Sequence, residues 1–427
     1  MTYLRERVLA ATTDRDRVVD AVKSGALCLV IVGHSLAWNV TADGTAANTL
    51  EAVPAAAPLT WLVQTLPLFF LVAGAGLVRT GREPTSQGIA ARIDRLVPPA
   101  LPLMLATIAL SLLAGLLISA DAGLAAGVLP TQLLWFLGVY LMLIVASPVL
   151  VRLRSPWWLL AALVAIAAVD VLRVNVDQLV GWINLVLVWS LFAAGGMRLA
   201  ALRSLPRAIL GVGLIASVLA ASTLVLVGPY SSALVTTTAT PGITNLAPPT
   251  LVLAFAGIAQ VCALLLAWPL LDRLMRRDTG WVVVAVVGSR AMELYLWHML
   301  GFTLAIGVVL GTGYAPDTLS IAWWLLHLAV LAVVVGTVWL AAPLLGRTSV
   351  GLSGLLARAV RLRLDRWPVP VDMAVAAVAS LSLLAVSESG LAQPLTPRVV
   401  IVLPYLPAAA LVVLGVIAGL ARGSRQR

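Results

Sequence analysis

The chain has 427 residues, 61% hydrophobic and 11% charged, with a mean hydropathy of +1.04 and a formal net charge of +10. A soluble domain is about 45–50% apolar and about 25% charged, so this is an integral membrane protein. Its continuous apolar runs of about 20 residues exclude a disordered chain, a coiled coil and the alternating strands of an outer-membrane barrel, and its cations form short clusters rather than the stripe that would mark a nucleic-acid partner.

Apolar windows fall in chain order near 24–41, 58–78, 96–118, 128–151, 156–172, 179–197, 208–229, 249–271, 281–311, 320–345, 371–389 and 399–420. They predict an all-α, polytopic bundle of about 12 transmembrane helices. The first window follows a 23-residue polar leader and carries a histidine, so it reads as a retained helix rather than a cleavable signal. Cys28 and Cys262 both lie inside apolar windows, which argues against a disulfide or a thiolate metal site.

With the N-terminus placed in the cytoplasm, 25 of the 28 basic residues fall in inner connections, as the positive-inside rule requires, and both termini are cytoplasmic. Only Arg173 and Arg398 fall outside, and Arg290 lies within a window. The expected location is a cell membrane of the bacterial inner or plasma type. The outer connections 42–57, 230–248 and 312–319 together carry Asp43, Glu51 and Asp317 but no base, and are where an extracytoplasmic substrate would enter. Residues 347–370 form a basic cytoplasmic linker lying on anionic lipid, between a ten-helix core and a two-helix extension over 371–427.

An ionisable side chain in hydrocarbon costs several kcal/mol by most scales and so marks a candidate site. The set is His34, Asp170, Arg290, Glu293, His298 and His327. His34 lies eleven residues after Lys23, a spacing that returns to within roughly 20° on a helix and rises about 16 Å, which places the cation at the inner interface and the imidazole near mid-membrane. The pair suits a reaction between a soluble anionic donor and an acceptor from the other side. The same pair is equally read as a snorkelling lysine and a histidine hydrogen-bonded to a neighbouring helix. Arg290 and Glu293, at i, i+3, are expected to pair. His327 reads as a satisfied buried histidine. No spacing suggests a metal site.

The stretch Asp20-Ala21-Val22-Lys23, ten residues and His34 resembles the first-helix motif of the membrane acyltransferase 3 family, an arginine or lysine, ten residues, then histidine. Pro67-Leu68-Phe69-Phe70-Leu71-Val72-Ala73-Gly74 resembles its second-helix segment, and Arg92-Ile93-Asp94-Arg95-Leu96-Val97-Pro98 its entry to helix three. Leu134-Trp135-Phe136-Leu137 and Tyr295-Leu296-Trp297-His298 are similar to its fourth-helix and late motifs. The resemblance covers about 14–346, with two departures. The family more often has arginine at the position of Lys23, and serine at that of Ala73.

The resemblance implies transfer of an acyl group, commonly acetyl, from cytoplasmic acyl-CoA to a hydroxyl or amine of an envelope glycan or lipid. No permanently bound cofactor is expected; acyl-CoA, the acceptor and membrane lipids are the partners. His34 is the expected catalytic residue, as general base or transient acyl carrier. Lys23, Arg92 and Arg95 are expected to hold the CoA phosphates, and Glu293, Tyr295 and His298 to line the acceptor side. Arg79 and Arg82 read first as inner-face anchors. Two rivals stand beside this: a transporter or flippase using His34, Glu293 and His298 as a proton relay, and an acyltransferase-like scaffold that has lost activity.

Overall fold

The computed structural model describes residues 9, 12, 15–41, 43–78, 85–153, 155, 157–235, 240–360, 364, 367–400 and 403–425. The longer helices are α1 Arg17–Leu36, α2 Leu66–Val78, α3 Ser86–Leu117, α4 Ala120–Val128, α5 Leu134–Arg152, α6 Trp158–Asn175, α7 Ile183–Met197, α8 Arg207–Val227, α9 Leu251–Met275, α10 Asp278–Ser289, α11 Ala291–Thr312, α12 Ile321–Val360, α13 Val369–Ser389 and α14 Pro407–Arg425. Two small hairpins, β1 Trp38–Val40 with β2 Ala46–Asn48 and β3 Arg398–Val400 with β4 Leu403–Tyr405, are antiparallel. Among the described residues, 11 segments are long and apolar enough to cross a membrane, so the protein is a multi-pass helical membrane protein. A further apolar stretch, Pro407–Gly423 in α14, is shorter.

Each apolar window meets a helix, although the last, 399–420, opens in β3 and β4 and is helical only from Pro407; three further differences stand out. The first helix occupies 17–36 rather than 24–41, because Asp16 caps it early, accepting from the Val18 and Val19 amides at 3.1 Å, and the chain turns into β1 after Ala37. The window 281–311 is two helices, broken at Arg290 (φ −114°, ψ 6°). The tenth span runs on as α12 for 40 residues to Val360, about 60 Å at helical rise and twice a hydrocarbon core. Residues 347–360, expected in a linker, are therefore helical.

The chain forms two compact units. The first comprises Met1–Thr80, Val149–Ala291 and Ala315–Leu325. In it α1 packs against α2, α9 and α10. Helices α2 and α7 approach backbone to backbone: a Cβ at Gly74 would overlap the Ala193 carbonyl, and one at Gly196 the Leu71 carbonyl. Phe70 and Trp189, both fully buried, stack beside that crossing with ring centroids 4.7 Å apart. The second-helix motif thus serves as a packing device, its Gly74 admitting a neighbour that no other residue would.

The second unit comprises Gly81–Pro148, Met292–Tyr314 and Leu326–Arg427. Helices α13 and α14 are part of its core rather than an appendage, with Ala376, Ala379, Leu383, Leu414 and Ala418 fully buried. Ser380 donates to the Gly138 carbonyl and Ser387 to the Gln132 carbonyl of the α5 region, both at 2.7 Å. Residues 347–360 are the last turns of α12, and α12 from Leu326 onward, α13 and α14 fall in one compact unit. Both helices bury apolar faces on α3, and α13 also meets α5 through Ser380 and the α5 region through Ser387.

Candidate active site

Lys23 and His34 lie on one uninterrupted helix, α1, so the shared face expected from their spacing is present. Lys23 pairs with Asp20 one turn earlier at 3.8 Å, and Asp20 also takes Arg15 at 2.6 Å. One buried carboxylate therefore holds two cations at the start of α1. His34 is half-buried and stands in the last turn, two residues before the helix ends. The imidazole is thus near the C-terminal end of α1 rather than at its middle, because the helix ends at Leu36, five residues before the apolar window does.

The segment after His34 is tied down within the same unit. Thr49 donates its amide to the Ala37 carbonyl at 3.0 Å and its hydroxyl to the Trp38 carbonyl at 2.8 Å. Asn39 donates to the Thr318 hydroxyl at 2.6 Å and accepts from the Trp323 indole at 3.2 Å. The turn beyond the imidazole is thereby fixed by β1, β2 and the start of α12.

Near the N-terminal end of α1 runs α10. Arg17 pairs with Asp278 at 3.8 Å and lies over the Trp281 ring, while Ser24 donates to the Val284 carbonyl at 3.4 Å. α10 thus climbs alongside α1 and ends at Arg290. The break sets Arg290 at the end of α10 and Glu293 in the first turn of α11, where a carboxylate complements the helix dipole.

Asp170 is absorbed by structure. Its carboxylate accepts from Asn184 at 2.8 Å, from the Tyr230 hydroxyl at 3.1 Å and from the Leu251 amide at 2.8 Å, where it caps α9. Burial, and then the adjacent Asp170 charge, raise the Tyr230 phenol well above its ordinary pKa, so it stays a donor to that carboxylate.

In the second unit, Arg92 is half-buried and Arg95 exposed on α3, and both act electrostatically on the Tyr140 phenol of α5. Between them Asp94, with its side chain 1% exposed, pairs with Arg422 of α14 at 3.4 Å. Tyr295 hydrogen-bonds the Leu133 carbonyl, and its ring meets Phe136 at 5.4 Å. The fourth-helix and late motifs therefore touch. His298 is fully buried, its Nδ1 2.7 Å from the Leu294 carbonyl and its ring edge-on to Phe302. Glu293 lies against α12, its Oε1 3.4 Å from where a Cβ on Gly346 would stand. His327 is 2% exposed. Arg79 and Arg82, with Arg5, Arg7, Arg154, Arg361, Arg363 and Arg366, lie outside the described residues. Among the described residues no group of three or more His, Cys, Asp or Glu side chains is arranged to hold a metal ion.

Arg422 and Tyr140 escaped the sequence reading. Asp94 was the available signal, a lone acid flanked by two arginines in a helix that is otherwise apolar.

These features define a multi-pass helical membrane protein in which a histidine and a cation share one helix face. A family model described as an acyltransferase domain matches residues 16–346. The chain accordingly belongs to the acyltransferase 3 family and is an acyltransferase, which favours the transferase reading over transport. No curated protein and no solved structure matches it. The family match begins at Asp16, the cap of α1, and ends at Gly346 inside α12, so α13, α14 and the last turns of α12 lie beyond it.

Proposed function

We propose that the protein transfers an acyl group, acetyl in the first instance, from acyl-CoA on the cytoplasmic side to a hydroxyl or amine of an envelope glycan or lipid presented from the other side. The observation that carries this is α1: one helix, one face, Lys23 toward its start and His34 toward its end, about 16 Å apart by helical rise. Lys23 serves the donor's phosphates and His34 the reacting carbonyl. The residue that replaces the family's usual arginine keeps the charge and gives up a planar two-pronged grip. Arg92 and Arg95 are assigned to the donor's phosphates on the same chemistry, as charge-assisted donors on one helix face.

In the proposed reaction the neutral His34 imidazole takes the proton from the acceptor hydroxyl as its oxygen attacks the thioester carbonyl. The new C–O bond forms, the C–S bond breaks, and the departing CoA thiolate receives the proton from the imidazolium. Membrane vesicles given radiolabelled acetyl-CoA test this. Wild type is expected to label a glycan or lipid fraction, and His34→Gln to label it roughly 100-fold to 10,000-fold more slowly, the usual contribution of a positioned base. Equal rates would remove His34 from the reaction.

A further inference from the structure

We infer that the part of the chain beyond the acyltransferase domain builds a binding site for an anionic phospholipid. At the end of α12 and the facing end of α14 is a cavity of about 280 Å³ lined by Val350, Gly351, Gly354, Leu355, Arg358 and Arg422. All six residues belong to one compact unit and all lie after Gly346.

The lining is amphipathic in the way a lipid is. Arg358 and Arg422 supply two guanidiniums at the C-terminal ends of their helices. Val350 and Leu355 present apolar surface beside them, 51% and 63% exposed. A water-soluble anion needs only the first pair, whereas a phospholipid satisfies both, with phosphate on the arginines and acyl chain against the valine and leucine. The Arg422 Nε is buried and has no hydrogen-bond partner among the described residues, while the side chain as a whole is 25% exposed and lines the cavity, so the guanidinium keeps donor capacity that a phosphate would take up.

Two glycines keep the cavity open. A Cβ built at Gly351 or Gly354 meets nothing within 4 Å. Packing therefore does not require glycine at either position, in contrast to Gly419 of α14, where a Cβ would press on the Leu356 backbone at 2.9 Å. Glycine costs about 1 kcal/mol relative to alanine inside a helix. Two of them within one turn, at positions that admit side chains, leave space on the face that carries Arg358.

The site is linked to α3. Arg422 lines the cavity and also pairs with Asp94, which lies between Arg92 and Arg95. A phosphate on Arg422 would draw that guanidinium partly from Asp94 and so change the field around the two arginines.

The test uses the full-length protein in a neutral detergent, with phosphatidylglycerol binding read by native mass spectrometry and melting temperature. Phosphatidylcholine, inorganic phosphate and coenzyme A are the comparison ligands. Phosphatidylglycerol is expected to bind and raise the melting temperature while phosphatidylcholine and inorganic phosphate do not. Arg358→Glu, which leaves the Asp94 pair intact, is expected to weaken phosphatidylglycerol binding about tenfold or more. Gly354→Leu is expected to abolish the lipid effect while melting without lipid at or above the wild-type temperature. Undiminished phosphatidylglycerol binding in both variants would overturn the site. An equal shift with inorganic phosphate, or displacement of the lipid by coenzyme A, would overturn its assignment to lipid.

Discussion

The pair between Arg422 and Asp94 joins the C-terminal hairpin to a motif of the acyltransferase domain, and removing one member gives a quantitative test. Asp94 is 1% exposed at its side chain and Arg422 25%, with 3.4 Å between nitrogen and oxygen. Arg422→Met keeps most of the stem's packing and deletes the charge. Removing one partner of a buried pair costs roughly 3–5 kcal/mol, because the remaining charge is left in a poor solvent. The long contact and the partial exposure of Arg422 argue for the lower end, about 3 kcal/mol. Asp94→Asn should cost less, since a neutral amide is cheaper to bury than a carboxylate that has lost the Arg422 guanidinium. The double variant should recover much of the loss, giving a coupling energy of about 2 kcal/mol. Unfolding of the purified protein by SDS titration, across wild type, both single variants and the double variant, measures each term. Single costs below about 1 kcal/mol that simply add would refute the argument. The hairpin would then be held on α3 by apolar packing alone, and Asp94 would owe nothing to α14.

Two further outcomes follow from the geometry. Gly74→Ala and Gly196→Ala should each force α2 and α7 apart, since the new methyl overlaps a backbone carbonyl of the other helix. The expected cost is at least 2–3 kcal/mol each, read as lost monodisperse yield on size exclusion and a lower melting temperature. Gly76→Ala, two residues along α2 with nothing within 4 Å, should be neutral or stabilising by about 0.5–1 kcal/mol, and equal damage from all three would mean the crossing is not where Gly74 is needed. Tyr295→Phe removes the hydroxyl that bonds Leu133 and keeps the ring against Phe136, so it should cost about 1 kcal/mol of stability and leave acyl transfer within about threefold. A fall in kcat of tenfold or more with unchanged stability would instead assign that hydroxyl to the acceptor.

What the sequence made legible was whatever depends on polarity averaged over about 20 residues. Each apolar window holds a helix, and the five motifs fell on α1, α2, α3, α5 and α11 in the expected order. What depends on a single dihedral or a single cap was hidden. Asp16 starts α1 seven residues before the apolar window, and the turn into β1 ends it at Leu36, which leaves His34 in the last turn; hydropathy is blind to both the cap and the turn. The break at Arg290 was partly announced, since a window of 281–311 is longer than a bilayer needs, and that surplus is the separate helix α10. The role of the second-helix motif was hidden for another reason. Phe70 and Gly74 are explained by Trp189 and Ala193 on α7, more than a hundred residues away, and no periodicity within α2 reports a partner at that distance. The same holds for Asp94, whose oddness is visible in the sequence and whose partner is 328 residues later. The candidate site therefore divides along one line. His34 and Lys23, set by spacing on one helix, could be read from the chain, while Arg422 and Tyr140, set by which helices pack together, required the fold.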